Sequence, residues 1–151
     1  MGIRLADARA LAQSVDRLTM WLRHQTPATV SSSTITALDR LRTEGPLRVS
    51  ELAAREAMTQ PGVTMLVTRL AEAGYAERVP DPTDRRATLV RITPAGETVL
   101  ADRLATRAQV LRERLGRLSD EDQQALTAAL PAIERLVATA PTTPEIRKPR
   151  T

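Results

Sequence analysis

The chain has 151 residues and a net charge of +4, enough for one domain with a real core. It contains no cysteine and no apolar run of 18 residues, which excludes disulfides, thiol switches, cysteine-ligated metals and membrane-spanning helices. The basic side is almost all arginine, with Lys148 the only lysine, and the aromatics are reduced to Trp21 and Tyr75; so few aromatics argue against the stacking platforms that bind single strands and RNA.

The opening Met1-Gly2-Ile3-Arg4 leads into a mixed helix with Asp7 and Asp16 instead of a signal peptide's apolar segment. Together with the absence of cysteine, this makes the cytoplasm the expected compartment. Residues 5–24 read as a helix with Ala8, Leu11, Val15, Leu18 and Leu22 on one stripe, ended by Pro27. Ser31-Ser32-Ser33 offers N-caps for a second helix bearing Ile35, Leu38 and Leu41. Gly45-Pro46 breaks it, Leu47-Arg48-Val49 is a short extended piece, and Ser50 is expected to cap a third helix from Glu51 to about Ala57.

Thr59 caps the fourth helix, where Pro61 falls in the first turn and Gly74 closes the end. Tyr75–Pro80 and Ala87–Thr93 are β-prone runs around a Pro/Asp turn, hence a hairpin. Thr93-Pro94 begins a long helix, and Ser119-Asp120-Glu121-Asp122 restarts the chain as a last one bearing Leu126, Leu130, Ile133 and Val137. The tail, 140–151, is Pro/Thr-rich, basic and expected to be disordered.

A helix pair followed directly by a basic hairpin is the shape that reads duplex DNA, one helix in the major groove and the hairpin reaching the minor groove or backbone. The fold class is therefore mainly α with a small β-hairpin wing: a winged helix-turn-helix with N- and C-terminal dimerisation helices. Residues 31–93 form the DNA-binding region, and 5–24 with 94–138 the dimerisation region. On the fourth helix, Val63, Leu66, Val67 and Leu70 face the third helix through Leu52 and Ala53, leaving Gln60, Pro61, Thr64, Met65 and Thr68 outward with Arg69 on the flank. Gln pairs with adenine, a Thr hydroxyl bonds base edges or phosphate, and Met or Thr methyls meet the thymine methyl. Gly62, a poor helix former, suits close approach of backbone N–H groups to a phosphate. Ordinary solvated helix residues would look the same on this face alone.

The hairpin tip is sharper. Asp84 stands two residues before Arg86, a spacing that lets a carboxylate brace an arginine aimed at a narrow minor groove. Arg85 and Arg78 are placed for phosphates. A surface turn with an ordinary ion pair would carry the same residues, and the preceding helix pair decides between the two.

At these positions the chain resembles the MarR family of bacterial transcriptional regulators over about residues 5–138. The resemblance rests on Glu51-Leu52-Ala53-Ala54-Arg55, on Val63-Thr64 through Val67-Thr68-Arg69-Leu70 with Ala73-Gly74, and on Asp84-Arg85-Arg86 leading to Ile92-Thr93-Pro94-Ala95-Gly96. It implies a homodimeric repressor whose recognition helix and wing bind a palindromic operator in double-stranded DNA, often released by a small phenolic or anionic effector. Thr59 and the outward face of the fourth helix then belong to the DNA-binding set, and Asp84 and Arg86 take the wing-tip roles. Many members carry Arg where this chain has Met65, so base preference is expected to differ.

The apolar stripes of the first and last two helices exceed what a small winged helix covers; they could pack on each other within a monomer or build a two-fold interface, and the resemblance favours the dimer. By resemblance, an effector cleft between the dimer helices and the DNA-binding lobe would be lined by Trp21, Arg23, His24, Leu38 and Met58. Trp21 suits a core or interface anchor better than a ligand stacker, and His24 suits a helix end favoured by the dipole. One histidine and no cysteine give no metal site, and no nucleophile–base pair or phosphate loop points to an enzyme or a cofactor. The alternative function is a winged-helix module that binds a protein partner.

Overall fold

The computed structural model describes residues 2–26, 30–84 and 86–138. Pro27, Arg85 and the 140–151 tail, each assigned a role above, lie outside the described residues. The elements run α1 (Leu5–Gln25), α2 (Ser32–Glu44), β1 (Leu47–Arg48), α3 (Val49–Arg55), α4 (Gln60–Glu72), β2 (Ala76–Pro80), β3 (Thr88–Ile92), α5 (Pro94–Leu115) and α6 (Asp120–Ala138). Ser31 caps α2, its side chain accepting the Thr34 N–H, and Thr93 caps α5 by accepting that of Gly96.

Two local expectations change. The hairpin is part of a three-stranded antiparallel sheet of order β1-β3-β2, because Leu47 and Arg48 pair with Val90 and Leu89. In addition, α3 begins at Val49, so Ser50 lies inside the helix and is not its cap. Arg48 holds the N-cap position, and its backbone N–H donates to Glu51 Oε2 at 2.7 Å. A glutamate three residues on is doing what half of a capping box does.

The core lies in the 31–93 lobe. Leu38, Leu41, Leu52, Val63, Leu66, Val67, Leu70 and Val90 are fully buried, and α5 adds Leu100 from its first half. The apolar faces of α3 and α4 meet there as their helical spacing requires. Outside this core, Arg40 pairs within α2 with Glu44 (2.9 Å) and reaches Glu56 just past α3 (3.2 Å), and Arg55 also holds Glu44, tying the end of α2 to α3. Desolvation raises the Glu44 carboxyl, but hydrogen bonds and charge attraction from Arg40 and Arg55 together outweigh it and lower its pKa.

Neither α1 nor α6 contains a buried residue. Their apolar stripes stand open, with Leu11, Val15, Leu18, Leu126, Leu130 and Ile133 each about half exposed. No helix among the described residues is long and apolar enough to cross a membrane.

Candidate nucleic-acid interface

Helix α4 is set by its cap and its buried face. The Thr59 side chain accepts the Gly62 N–H at 3.3 Å, while Val63, Leu66, Val67 and Leu70 anchor the inner face. Gln60, Pro61, Thr64, Met65, Thr68 and Arg69 are all exposed, as is Thr59. Gly62 is half-buried, and a Cβ there would stand 3.1 Å from Thr59 Oγ1, so the glycine makes room for the cap. The hydroxyls of Thr64 and Thr68 fold back on the helix, donating to the carbonyls of Gln60 and Thr64 at 2.9 and 3.0 Å.

The wing is a β2–β3 hairpin in register from Ala76↔Ile92 to Pro80↔Thr88. Its loop is closed by two backbone hydrogen bonds, from Asp81 N–H to the Ala87 carbonyl and from Ala87 N–H to the Asp84 carbonyl. Arg78 and Arg86 are exposed, and Arg91 pairs with Glu77 across the two strands at 2.7 Å.

The brace in this loop differs from the sequence expectation. Asp84 Oδ1 accepts the backbone N–H of Arg86 at 3.0 Å, not its guanidinium, and among the described residues the Asp84 carboxylate has Arg48 as its cation, at 3.6 Å. Two residues of separation favour an Asx-type contact to backbone over a side-chain pair, because the short carboxylate reaches the N–H first. The carboxylate thus fixes the loop backbone at Arg86 and leaves the side chain to project.

Sequence reasoning missed Arg48 and Asp81. The Arg48 guanidinium meets Asp81 Oδ2 through Nε at 3.0 Å and Nη2 at 2.6 Å. The other carboxylate oxygen accepts the Thr83 N–H and hydroxyl, at 2.8 and 2.7 Å. Asp81 is the only buried charged residue among those described. Hydrogen bonds from Thr83, then Arg48, hold its carboxyl well below the usual carboxylate range. An Asp-Pro-Thr triplet signals a turn, but its distant arginine has no local signature.

Two of the residues assigned to an effector cleft, Leu38 and Met58, belong with the core. Leu38 is fully buried in the core; its place on the Ile35/Leu38/Leu41 stripe turns it inward, a correction to its role in the cleft. Met58 packs against that same core. Trp21 lies under the guanidinium of Arg114, 4.7 Å from the ring centroid, joining α1 to α5. Arg23 and His24 are exposed in the last turn of α1.

An open cleft of about 280 Å³ lies instead between α2 and α5, lined by Ile35, Thr36, Asp39, Arg42, Leu100, Arg103, Leu104 and Arg107. Its acid, Asp39, is engaged by Arg42. The Nε of Arg107 is buried without a hydrogen-bond partner among the described residues. Burial, then repulsion from Arg107 and Arg23, pushes the Arg103 guanidinium below its ordinary pKa.

A capped helix with an open outer face, packed on a shorter helix and followed by a braced β-wing, defines the winged helix-turn-helix class. Residues 25–88 match the family model described as MarR family. The chain is 34% identical over 139 residues to the HTH-type transcriptional regulator Mb0904 of Mycobacterium bovis, covering 91% of this chain and 96% of that protein. A regulator from Mycobacterium leprae, ML2140, matches at the same identity and coverage. Among solved structures, the transcriptional regulator Tm0710 of Thermotoga maritima superposes with a TM-score of 0.72 at 26% identity, over 89% of this chain and 96% of that one. A MarR family protein of Bacillus stearothermophilus shares the fold with a TM-score of 0.69 at 22% identity, over 91% of this chain and all of that one. The chain belongs to the MarR family of winged helix-turn-helix transcriptional regulators; it is a DNA-binding regulator and not an enzyme.

Proposed function

We propose that the protein is a homodimeric repressor that binds a palindromic operator in double-stranded DNA and is released by a small anionic ligand, acting in the cytoplasm. The observation that carries this reading is the pairing of an open α4 face with a wing whose loop is held by Arg48, Asp81 and Asp84. In this reading Thr59, Gln60, Pro61, Gly62, Thr64, Met65, Thr68 and Arg69 occupy the major groove and its phosphates. Arg86 enters the minor groove, while Arg78 and Arg85 meet phosphates.

The unpartnered apolar stripes of α1 and α6 support a two-fold interface with a second copy. A two-fold protein presents its recognition helices roughly 34 Å apart, which fits one helical turn of duplex. In this division residues 5–24 and 94–138 dimerise and 31–93 bind DNA. The α2–α5 cleft supports the anionic ligand, since Arg103 and Arg107 crowd there with no ion-paired acid among the described residues. Its position between the lobe core and the long helix suits a shift of conformational populations rather than direct competition with DNA.

The test is a band-shift titration on the DNA upstream of the protein's own gene, with excess random competitor, beside Arg86→Ala. Competitor-resistant binding weakened in the variant by more than ~1 kcal/mol is expected. Binding no stronger than to random duplex would overturn the operator reading, and a monomer in analytical ultracentrifugation would overturn the dimer.

A further inference from the structure

We propose that α4 selects the 5-methyl group of thymine in the major groove, through a methyl surface built by Thr64, Met65 and Thr68. This rests on the DNA-binding reading above and deepens it.

These three residues, with Pro61, fall within about 100° of the helix circumference, on the face opposite the buried Val63, Leu66, Val67 and Leu70. Met65 is 67% exposed, the largest apolar side chain of α4 left outside the core. The two threonines would ordinarily count as polar. Here each hydroxyl has given its proton to the helix, Thr64 to the Gln60 carbonyl and Thr68 to the Thr64 carbonyl. A helical threonine is stiff at χ1 and favours rotamers that allow this bond. With oxygen folded against the backbone, the γ-methyl is the group left to meet a neighbour.

The resulting face cannot read guanine by the usual fork. Helix α4 has no lysine, and its one arginine, Arg69, lies on the flank toward the last turn. Of the groups that base pairs expose in the major groove, the thymine C5-methyl is the one that an apolar surface matches. Gln60, one turn before Thr64 on the same side, remains for an adjacent adenine.

The test begins with a duplex that the wild-type full-length protein selects from a random-sequence pool. That duplex is resynthesised with deoxyuridine in place of each thymidine in turn, which deletes the methyl and leaves base pairing intact. The expected result is a loss of about fourfold in Kd for at least one position per half-site, the factor that burial of about one methyl-sized group supplies. Met65→Ala should erase much of that discrimination. Thr64→Val and Thr68→Val, which keep the methyl and drop the hydroxyl, should retain the preference for thymidine over deoxyuridine, whereas Thr68→Ser should lose part of it.

Equal affinity for thymidine and deoxyuridine duplexes would overturn the proposal while leaving the DNA-binding reading intact. So would valine variants that lose that preference where serine keeps it, since the hydroxyl would then be the reader. Failure to select any duplex would overturn both.

Discussion

The guanidinium of Arg48, at the start of α3, closes on the Asp81 carboxylate where β2 enters the wing loop, with contacts of 3.0 and 2.6 Å. Arg48 also belongs to β1, beside Leu89 of β3. One side chain therefore joins the helix pair to the loop that carries Arg86. The same carboxylate arranges Thr83, and Asp84 arranges the Arg86 amide. If this chain of contacts aims the wing, Arg48→Ala should weaken specific DNA binding about tenfold, the order expected for losing one well-formed charge-assisted contact. The far-UV spectrum should be unchanged, because the residue is half exposed and lies outside the apolar core. Fluorescence anisotropy on an operator duplex, beside circular dichroism, would decide this. Unchanged affinity would show that the wing holds its course without the clamp.

Asp81 also sets a pH dependence whose sign is fixed. Its carboxyl titrates lower in the folded chain than in the unfolded one, where an aspartate ionises near pH ~3.9. Such a group contributes its stability above the unfolded value and loses it as pH falls through the folded value. Melting temperature should therefore decline below about pH 4, with Glu44 contributing in the same direction. In Asp81→Asn the decline should be shallower, starting from a lower melting temperature at neutral pH. Parallel melting curves for the two proteins from pH 7 to 3 would remove Asp81 as a source of acid sensitivity.

Leu38 separates a packing role from a ligand role. It is fully buried in the core cluster with Leu41, Leu52, Leu66 and Val90. Leu38→Ala should cost about 2–5 kcal/mol in urea unfolding, the range for a buried leucine that leaves a cavity. Destabilisation under ~1 kcal/mol would mean that the site collapses or is more open than its burial indicates.

Most of the element order was legible because several boundaries carry local chemistry. Ser31, Thr59 and Thr93 supply caps, and Gly74 takes the positive φ of 73° that ends the α4 segment. The stripe on α4 gave its buried face in full. Features that depend on tertiary contact escaped. The pairing of β1 with β3 joins residues far apart in sequence, and two residues show no alternation. The Arg48–Asp81 contact spans 33 positions, and nothing local marks either partner. Leu38 was assigned twice, once to an apolar stripe and once to a cleft; the stripe follows from helical geometry, whereas the cleft rested on resemblance alone. The contact made by Asp84 shows the same limit, because spacing gives reach but not the choice between an amide and a guanidinium.

Gly96 offers the sharpest steric test of how the DNA-binding lobe is joined to α5. Thr93 donates its hydroxyl to the Gly74 carbonyl at 2.6 Å and its backbone N–H to that of Tyr75 at 3.0 Å. These bonds draw the first turn of α5 onto the chain leaving α4. A Cβ at position 96 would stand 2.2 Å from the Tyr75 carbonyl oxygen and 2.8 Å from Ile92 Cγ1. Neither neighbour can simply swing aside, since the first is backbone and the second packs against the core. Gly96→Ala should therefore destabilise by at least ~1–3 kcal/mol despite the higher helix propensity of alanine. Gly62→Ala is the control, because there the new Cβ meets only side-chain atoms, the nearer being Thr59 Oγ1 at 3.1 Å. Its effect should be smaller. Urea unfolding of both variants measures the difference, and equal midpoints would mean that the α4–α5 junction can open without cost. In that event the angle between the recognition helix and the long helix would be adjustable, and a ligand between α2 and α5 could change it with little opposition.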